Sequence, residues 1–285
     1  MAAAISPALP VRLVEKPWGV EVLPAPFAGD PRGAGRRIGE IWFEPPAAVP
    51  ELLLKYIFSS DKLSVQVHPS DAQTLAQGLG RQGKEECWLV IDAGPDARLG
   101  IGFHEPVEPE AMRAAALDGS IEQMLVWHQV QAGDFFYIPA NTVHAIGAGV
   151  SVVEVQQNSD ITYRLFDYGR PRALHLEESL AVALGTPYDL ARHHRRLGPG
   201  GDAQLVEGPY FRLDRVEGLP DAGLRAGLAA RYGHAPLVVL PLAGALTVMG
   251  ATVAAGGCAI ASTLADIAFA PGGQCLLAQP LGVSA

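Results

Sequence analysis

Three stretches of the chain carry side chains whose type and spacing could do chemistry. In Leu63-Ser-Val-Gln-Val-His-Pro69 polar and apolar residues alternate, so in a strand Ser64, Gln66 and His68 share one face while Val65 and Val67 share the other. Either water or an enclosed lumen meets that polar face, and a lone histidine there is more often solvated than a ligand. In Gly83-Lys-Glu-Glu-Cys-Trp-Leu-Val-Ile-Asp92 the same parity sets Lys84, Glu86, Trp88 and Val90 against Cys87, Leu89 and Ile91. A carboxylate at the mouth of so apolar a strand is costly to bury without a cation or donor, and an exposed strand end is the alternative. Lys84 either meets a ligand at that mouth or is solvated. Further on, Glu154 and Gln156 share a face, and Arg164 stands on the parity of Thr162 and Phe166. A guanidinium between apolar strand residues takes a partner, which can be a phosphate, an enediolate oxygen, or a salt bridge to Glu154 or Asp167.

A fourth stretch, Gly133-Asp-Phe-Phe-Tyr-Ile-Pro-Ala-Asn-Thr-Val-His144, is more specific. An apolar strand runs into a Pro-Ala-Asn turn, and His144 begins the return. The pattern resembles the second cupin motif, G-x5-P-x-G-x-x-H, with Asn141 where the motif has Gly; Asn is the usual substitute when a turn needs positive φ. Cupins are small jelly-roll barrels that hold metals and sugars in the lumen. That resemblance sets His144 against the earlier strands. Two histidines, a carboxylate and an amide oxygen then form a mixed nitrogen and oxygen set suited to Zn²⁺ with one open position, while Mn²⁺, Fe²⁺ and Co²⁺ accept the same donor types.

The elements that must position these groups are mostly short strands closed by Gly, Pro, Asn and Asp. The sequence predicts strands over Ile38–Phe43, Leu52–Ser59, Leu63–His68, Glu86–Asp92, Asp134–Ile138, Val152–Gln156 and Thr162–Phe166. Helical insertions are predicted over Pro109–Leu125 and Leu174–Leu184. A turn-rich linker, Leu197-Gly-Pro-Gly-Gly-Asp202, divides a unit 1–197 from a second unit 198–285, in which Leu246–Val253 resembles a hairpin around Met249-Gly250. The expected fold is mainly β, two cupin-like jelly-roll barrels with helical insertions, the second a degenerate barrel without a metal site.

Composition bounds the function. The chain has 285 residues, 49% hydrophobic and 18% charged, which is globular rather than disordered or fibrous. A net charge of −9 disfavours nucleic acid and anionic membrane surfaces as partners, and an anionic small ligand would need a locally basic pocket. Three cysteines, Cys87, Cys258 and Cys275, form no paired framework, and no secretory signal is visible, so a cytoplasmic setting is expected. Ala235–Ala265 has no charged residue, but Pro236, Pro241, Gly244, Gly250, Gly256 and Gly257 interrupt it; buried strands are expected there rather than a membrane helix.

The motifs Lys16-Pro-Trp-Gly19, Ile38-Gly-Glu-Ile-Trp42, Leu63–Pro69, Gly83-Lys-x-Glu-Cys-Trp88, Gly133–His144 and Gln157-Asn-Ser-Asp-x-Thr-Tyr-Arg164 occur in order between about Val14 and Ala183. Together they resemble the short bacterial form of the type I mannose-6-phosphate isomerase family, zinc-dependent cupins that interconvert mannose 6-phosphate and fructose 6-phosphate. The resemblance implies that Gln66, His68, Glu86 and His144 are the metal ligands, with one Zn²⁺ per chain, and that Arg164 is the active-site arginine. It makes Ser64, Lys84 and Arg170 candidates for contacting the sugar phosphate. It assigns no ligand role to His104, His128, His175, His193, His194 or His234, which are expected to be structural or at the surface. The C-terminal third matches only in general character.

An aldose–ketose isomerisation moves a proton between C2 and C1 through a cis-enediol, so it needs a base reaching both carbons and a group that stabilises negative charge. Glu154 is the candidate proton shuttle, or else it orients Arg164 by a salt bridge; Arg164 would stabilise the enediolate. Rival readings are a cupin isomerase for another sugar phosphate such as glucose 6-phosphate, an iron-dependent cupin dioxygenase, which Gln66 as a fourth ligand disfavours, and a metal-containing sugar-binding cupin without turnover. The partner in each isomerase reading is a small sugar phosphate, and the chain would act as a monomer or homodimer.

Overall fold

The computed structural model describes residues 7–198 and 200–282. In chain order its strands are β1 (Val11–Val20), β2 (Ile38–Phe43), β3 (Leu52–Phe58), β4 (Val65–Val67), β5 (Glu86–Ala93), β6 (Arg98–Phe103), β7 (Leu125–Gln129), β8 (Asp134–Ile138), β9 (His144–Ile146), β10 (Val150–Gln157), β11 (Tyr163–Phe166) and β12 (His194–Arg196), then β13 (Ala203–Glu207), β14 (Phe211–Glu217), β15 (Leu237–Ala243), β16 (Ala245–Val248), β17 (Ala251–Ala254), β18 (Ala259–Ala261), β19 (Ile267–Ala268) and β20 (Gln274–Pro280). The helices are α1 (Asp71–Ala76), α2 (Pro109–Asp118), α3 (Ile121–Met124), α4 (Leu176–Val182), α5 (Leu190–His193) and α6 (Ala222–Tyr232). The chain is mainly β, as expected.

Among the described residues four antiparallel sheets form. The first has the order β1-β2-β3-β10-β5-β8-β12, and the second β11-β4-β9-β6-β7. The remaining two, β13-β14-β20-β15-β18 and β17-β16-β19, are built from residues after Arg196. The strand β3 is buried at every position, and the reason is visible in which residues each face touches. Leu54, Tyr56, Cys87, Leu89 and Val153 pack with Leu213, Leu240 and Leu276 of the later strands. On the opposite face Ile57, Trp88, Val90 and Phe136 pack with Leu99, Ile101 and Ile146 of the second sheet. A sheet covered on both faces tolerates few polar residues, so each one it does carry marks a special place.

Several boundaries differ from the sequence reading. The helix expected over Pro109–Leu125 is two helices, because Gly119 takes φ +84 and closes α2 in a left-handed turn before α3 restarts. The strand expected over Leu63–His68 is only Val65–Val67, and the helix over Leu174–Leu184 is Leu176–Val182. Met249 and Gly250 do make the hairpin turn: φ is +49 and +82, Val248 pairs with Ala251, and two successive left-handed residues match strand twist. The uncharged stretch 235–265 forms β15 to β18, and no helix among the described residues is long and apolar enough to cross a membrane. Of the expected linker, Pro199 lies outside the described residues, as do residues 1–6 of the expected leaderless N-terminus. The chain's start crosses to the later sheets: the Leu9 amide donates to the Cys258 carbonyl at 2.8 Å, and the Ile260 amide to the Pro7 carbonyl at 2.9 Å.

Candidate metal centre and cavity

Strand register builds the site from two rows of side chains. In the first sheet Trp42 pairs with Lys55, Lys55 with Glu154, and Glu154 with Trp88, so one polar row runs across β2, β3, β10 and β5. Gln156 stands beside Glu86 in the next row. In the second sheet Arg164 pairs with Gln66 and Gln66 with His144. The parity expected for Ser64, Gln66 and His68 therefore turns inward to a lumen, while Val65 and Val67 are buried on the other side. The turn before His144 works as read: Asn141 has φ +71, and its side chain adds a bond a glycine could not, donating to Gln73 Oε1 at 2.7 Å. At the start of β5, a Cβ on Gly83 would stand 2.3 Å from the Pro69 carbonyl oxygen. Only glycine lets this strand pass the Ser70 turn and deliver Lys84 and Glu86 to the lumen.

His68, Glu86 and His144 are buried, and their donor atoms lie within 4.8 Å of one another. His68 Nδ1 is 2.8 Å from the Ile161 carbonyl and His144 Nδ1 is 2.9 Å from the Thr142 carbonyl. A carbonyl can only accept, so each neutral ring keeps its proton on Nδ1 and presents a bare Nε2. Burial holds both imidazoles neutral: it pushes His68 well below its ordinary value, helped by Lys84, and lowers His144 despite the attraction of Glu86. Burial, the largest single influence, would raise Glu86, but Lys84, His144 and Lys55 together hold the carboxyl below its usual range. Glu86 Oε1 has no hydrogen-bond partner and faces His144 Nε2 at 3.3 Å. Acceptors turned on each other in a buried place call for a cation, so this donor set fits a divalent metal. Gln66 adjoins it, with Nε2 3.2 Å from His144 Nε2 and Oε1 accepting from Ser64 Oγ at 3.1 Å. Because a hydroxyl both donates and accepts, turning the amide over would offer its oxygen to the ion at no loss to Ser64.

Above these residues opens a cavity of about 240 Å³, lined among others by Ser64, Gln66, Lys84, Glu154 and Arg164. Lys84 lies deeper than the mouth position expected: it bonds the Glu86 carboxylate, and its Nζ is 3.1 Å from His68 Nε2. Glu154 does not reach Arg164. Its Oε1 is 3.0 Å from Lys55 Nζ and 3.5 Å from Lys84 Nζ, and Oε2 accepts from Trp88 Nε1 at 3.1 Å. Arg164 forms no ion pair among the described residues; its backbone amide donates to His175 Nδ1 at 3.2 Å, and its Nη1 is 3.5 Å from the same atom. His175, expected to be only structural, thus contacts the candidate active-site arginine, although no histidine besides His68 and His144 joins the metal-binding group among the described residues. Arg170 does not line the cavity. It is bound to Asp61 at 2.5 Å and to Asp167 at 3.0 Å.

Sequence reasoning missed Lys55, Lys16, Glu40 and Arg172. The signal for Lys55 was present: it is the one charged residue in the run Leu52–Phe58, and a lysine 6% exposed needs anionic company. Glu154 and Glu40 provide it, holding the ammonium above its ordinary value against the effect of burial. Glu40 in turn accepts from Trp42 Nε1 at 2.6 Å and pairs with Lys16 at 3.3 Å.

Paired antiparallel sheets enclosing a His–Glu–His group define a cupin-type fold with a candidate metal centre. Solved structures agree on the fold: the mannose 6-phosphate isomerase from Bacillus subtilis matches with a TM-score of 0.75 at 22% identity, covering 96% of this chain and 99% of that one. A variant of phosphomannose isomerase from Salmonella typhimurium matches with a TM-score of 0.73 at 12% identity, over 97% of this chain and 100% of that one. By sequence the chain is similar to proteins named mannose-6-phosphate isomerase: 40% identical over 181 residues to that of Streptococcus mutans, and 38% identical over 172 residues to ManA of Bacillus subtilis. These alignments take in 61% and 58% of this chain and 57% and 54% of the relatives, so the match spans little more than half of their length. No family model matches. The resemblance to type I mannose-6-phosphate isomerases read from the motifs is shown by these relatives.

Proposed function

We propose that the protein is a metal-dependent isomerase that interconverts mannose 6-phosphate and fructose 6-phosphate through a cis-enediol. The observation that carries this is the position of the His68, Glu86 and His144 donors beneath a cavity whose wall holds Lys55, Lys84, Glu154 and Arg164. Zn²⁺, held by Gln66, His68, Glu86 and His144, would supply Lewis-acid polarisation of the substrate oxygens at C1 and C2. Arg164, lacking a carboxylate partner, keeps its charge available to the developing enediolate. Glu154 carries the proton between the two carbons from within a cluster in which its Oε1 lies 3.0 Å from Lys55 Nζ and 3.5 Å from Lys84 Nζ. Ser64 and Lys84 contact the substrate from the wall. In this reading the catalytic unit is residues 1–197 and the metal-free β unit 198–285. Three buried free cysteines suit a reducing cytoplasm.

The test is a coupled assay on purified protein of measured metal content, with mannose 6-phosphate and glucose 6-phosphate run side by side. Formation of fructose 6-phosphate from the mannose ester, with about one zinc per chain, is the expected result. Turnover of the glucose ester alone would reassign the substrate, and full metal occupancy without turnover of either would return the protein to the sugar-binding reading.

A further inference from the structure

We infer that Arg172 takes the phosphoryl group of the substrate and that Asp167 is its positioning residue, an assignment that rests on the sugar-phosphate reading above. The loop Asp167-Tyr-Gly-Arg-Pro-Arg172 leaves β11 through two consecutive left-handed residues, Tyr168 at φ +54 and Gly169 at φ +74. That reversal parts its two arginines. Arg170 goes away from the cavity, where Nη2 meets Asp61 at 2.5 Å, Nη1 meets Asp167 at 3.0 Å, and the guanidinium lies 5.4 Å from the Tyr168 ring centroid. Each of its two Nη groups is engaged by a carboxylate. Arg172 goes inward and lines the cavity with Lys16 and Arg164.

Asp167, 2% exposed, grips one edge of Arg172: Nε donates to Oδ2 at 2.6 Å and Nη2 to Oδ1 at 2.7 Å. A guanidinium has five N–H donors in a fixed fork, and this grip uses two of them. The Nη1 edge has no protein partner among the described residues and is free for a second planar or tetrahedral anion. The surroundings ask for one. Five cationic side chains line the cavity, Lys16, Lys55, Lys84, Arg164 and Arg172, against three carboxylates, Glu40, Glu154 and Asp160. The cations feel one another: Lys16 is lowered chiefly by burial and further by Lys55 and Arg172, and Arg164 is lowered by burial and then by Arg172. A dianionic phosphate relieves that repulsion, with the sugar directed toward the metal ligands.

Steady-state kinetics of Arg172→Gln, Arg170→Gln, Arg172→Lys and Asp167→Asn with mannose 6-phosphate, and inhibition by inorganic phosphate, test this. Arg172→Gln should raise KM and the phosphate inhibition constant about tenfold or more, with kcat within about threefold, as expected for loss of a charged hydrogen-bonding edge. Arg172→Lys should fall between, because charge remains and the fork is lost. Asp167→Asn should raise KM while leaving kcat near the wild type, a split that a mere loss of folded protein would not give. A larger KM and phosphate effect in Arg170→Gln than in Arg172→Gln would overturn the assignment. Should the wild type turn over no hexose phosphate, the isomerase reading falls by itself; calorimetric titration with inorganic phosphate, compared between wild type and Arg172→Gln, then still decides the anion site.

Discussion

Glu86 Oε1 stands 3.3 Å from His144 Nε2 and has no hydrogen-bond partner among the described residues. The backbone carbonyls of Thr142 and Ile161 claim the Nδ1 protons of His144 and His68, so strand geometry fixes both tautomers. A centre already holding its lone pairs inward pays little reorganisation on taking up a cation.

His144→Ala and Glu86→Gln should therefore lose bound metal and activity together. Metal analysis of the purified variants checks this, and full occupancy in both would place the centre elsewhere. Chelation of the wild type should abolish turnover, with Zn²⁺ restoring it.

Arg164→Ala should lower kcat about a hundredfold while metal content stays at the wild-type level, because the guanidinium answers charge that appears only during the reaction. Unchanged turnover would sink its assigned role.

Lys55→Met removes the nearer of the two ammonium groups facing the buried Glu154 carboxylate. Breaking a buried pair from one side costs about 3 kcal/mol, which denaturant unfolding should show as a lower midpoint at constant slope. The same variant should depress kcat, since the Lys55 ion pair holds the Glu154 carboxylate in place. A stability equal to the wild type would mean that Lys84 alone compensates Glu154.

Asp134 bonds Arg196 at 2.8 and 2.9 Å and His194 at 3.0 Å, fastening β12 to β8. Burial would raise its carboxyl, but Arg196, the Gln131 amide and His194 bring it below the ordinary value. A folded-state value below the unfolded one gives stability that is complete above the unfolded value and disappears as pH falls through the folded one. The gap in unfolding midpoint between wild type and Asp134→Asn should thus be constant from about pH 5 to pH 7 and close on acidification below about pH 4. A gap that persists at about pH 2 would show that the carboxylate charge is not its source.

Period-two alternation made the shared face of Gln66 and His68 legible, though not whether it met water or a lumen, and the Pro-Ala-Asn turn made the return at His144 legible, because both are local rules of strands and turns. Lys55 was readable in type but not in role. Its neighbours Trp42 and Glu154 are set by pairing across β2, β3 and β10, which joins residues about a hundred positions apart and leaves no local trace. Arg170 and Arg172 have the same parity, so alternation could not separate them; the left-handed backbone at Tyr168 does. His175 reaches Arg164 by the return of the chain after that loop, which no motif records.

The first sheet spends one face on the lumen and the other on the later strands, with Leu54 and Leu89 sharing a cluster with Leu213 and Leu276, while Leu9 is hydrogen-bonded to Cys258. The cavity wall and the packing surface for the later strands are therefore two sides of the same slab. A cut in the 198–202 connection should leave the fragments clasped to each other, and the strands bearing Lys55, Glu86 and Glu154 should melt in step with β14, β15 and β20, whose side chains back them.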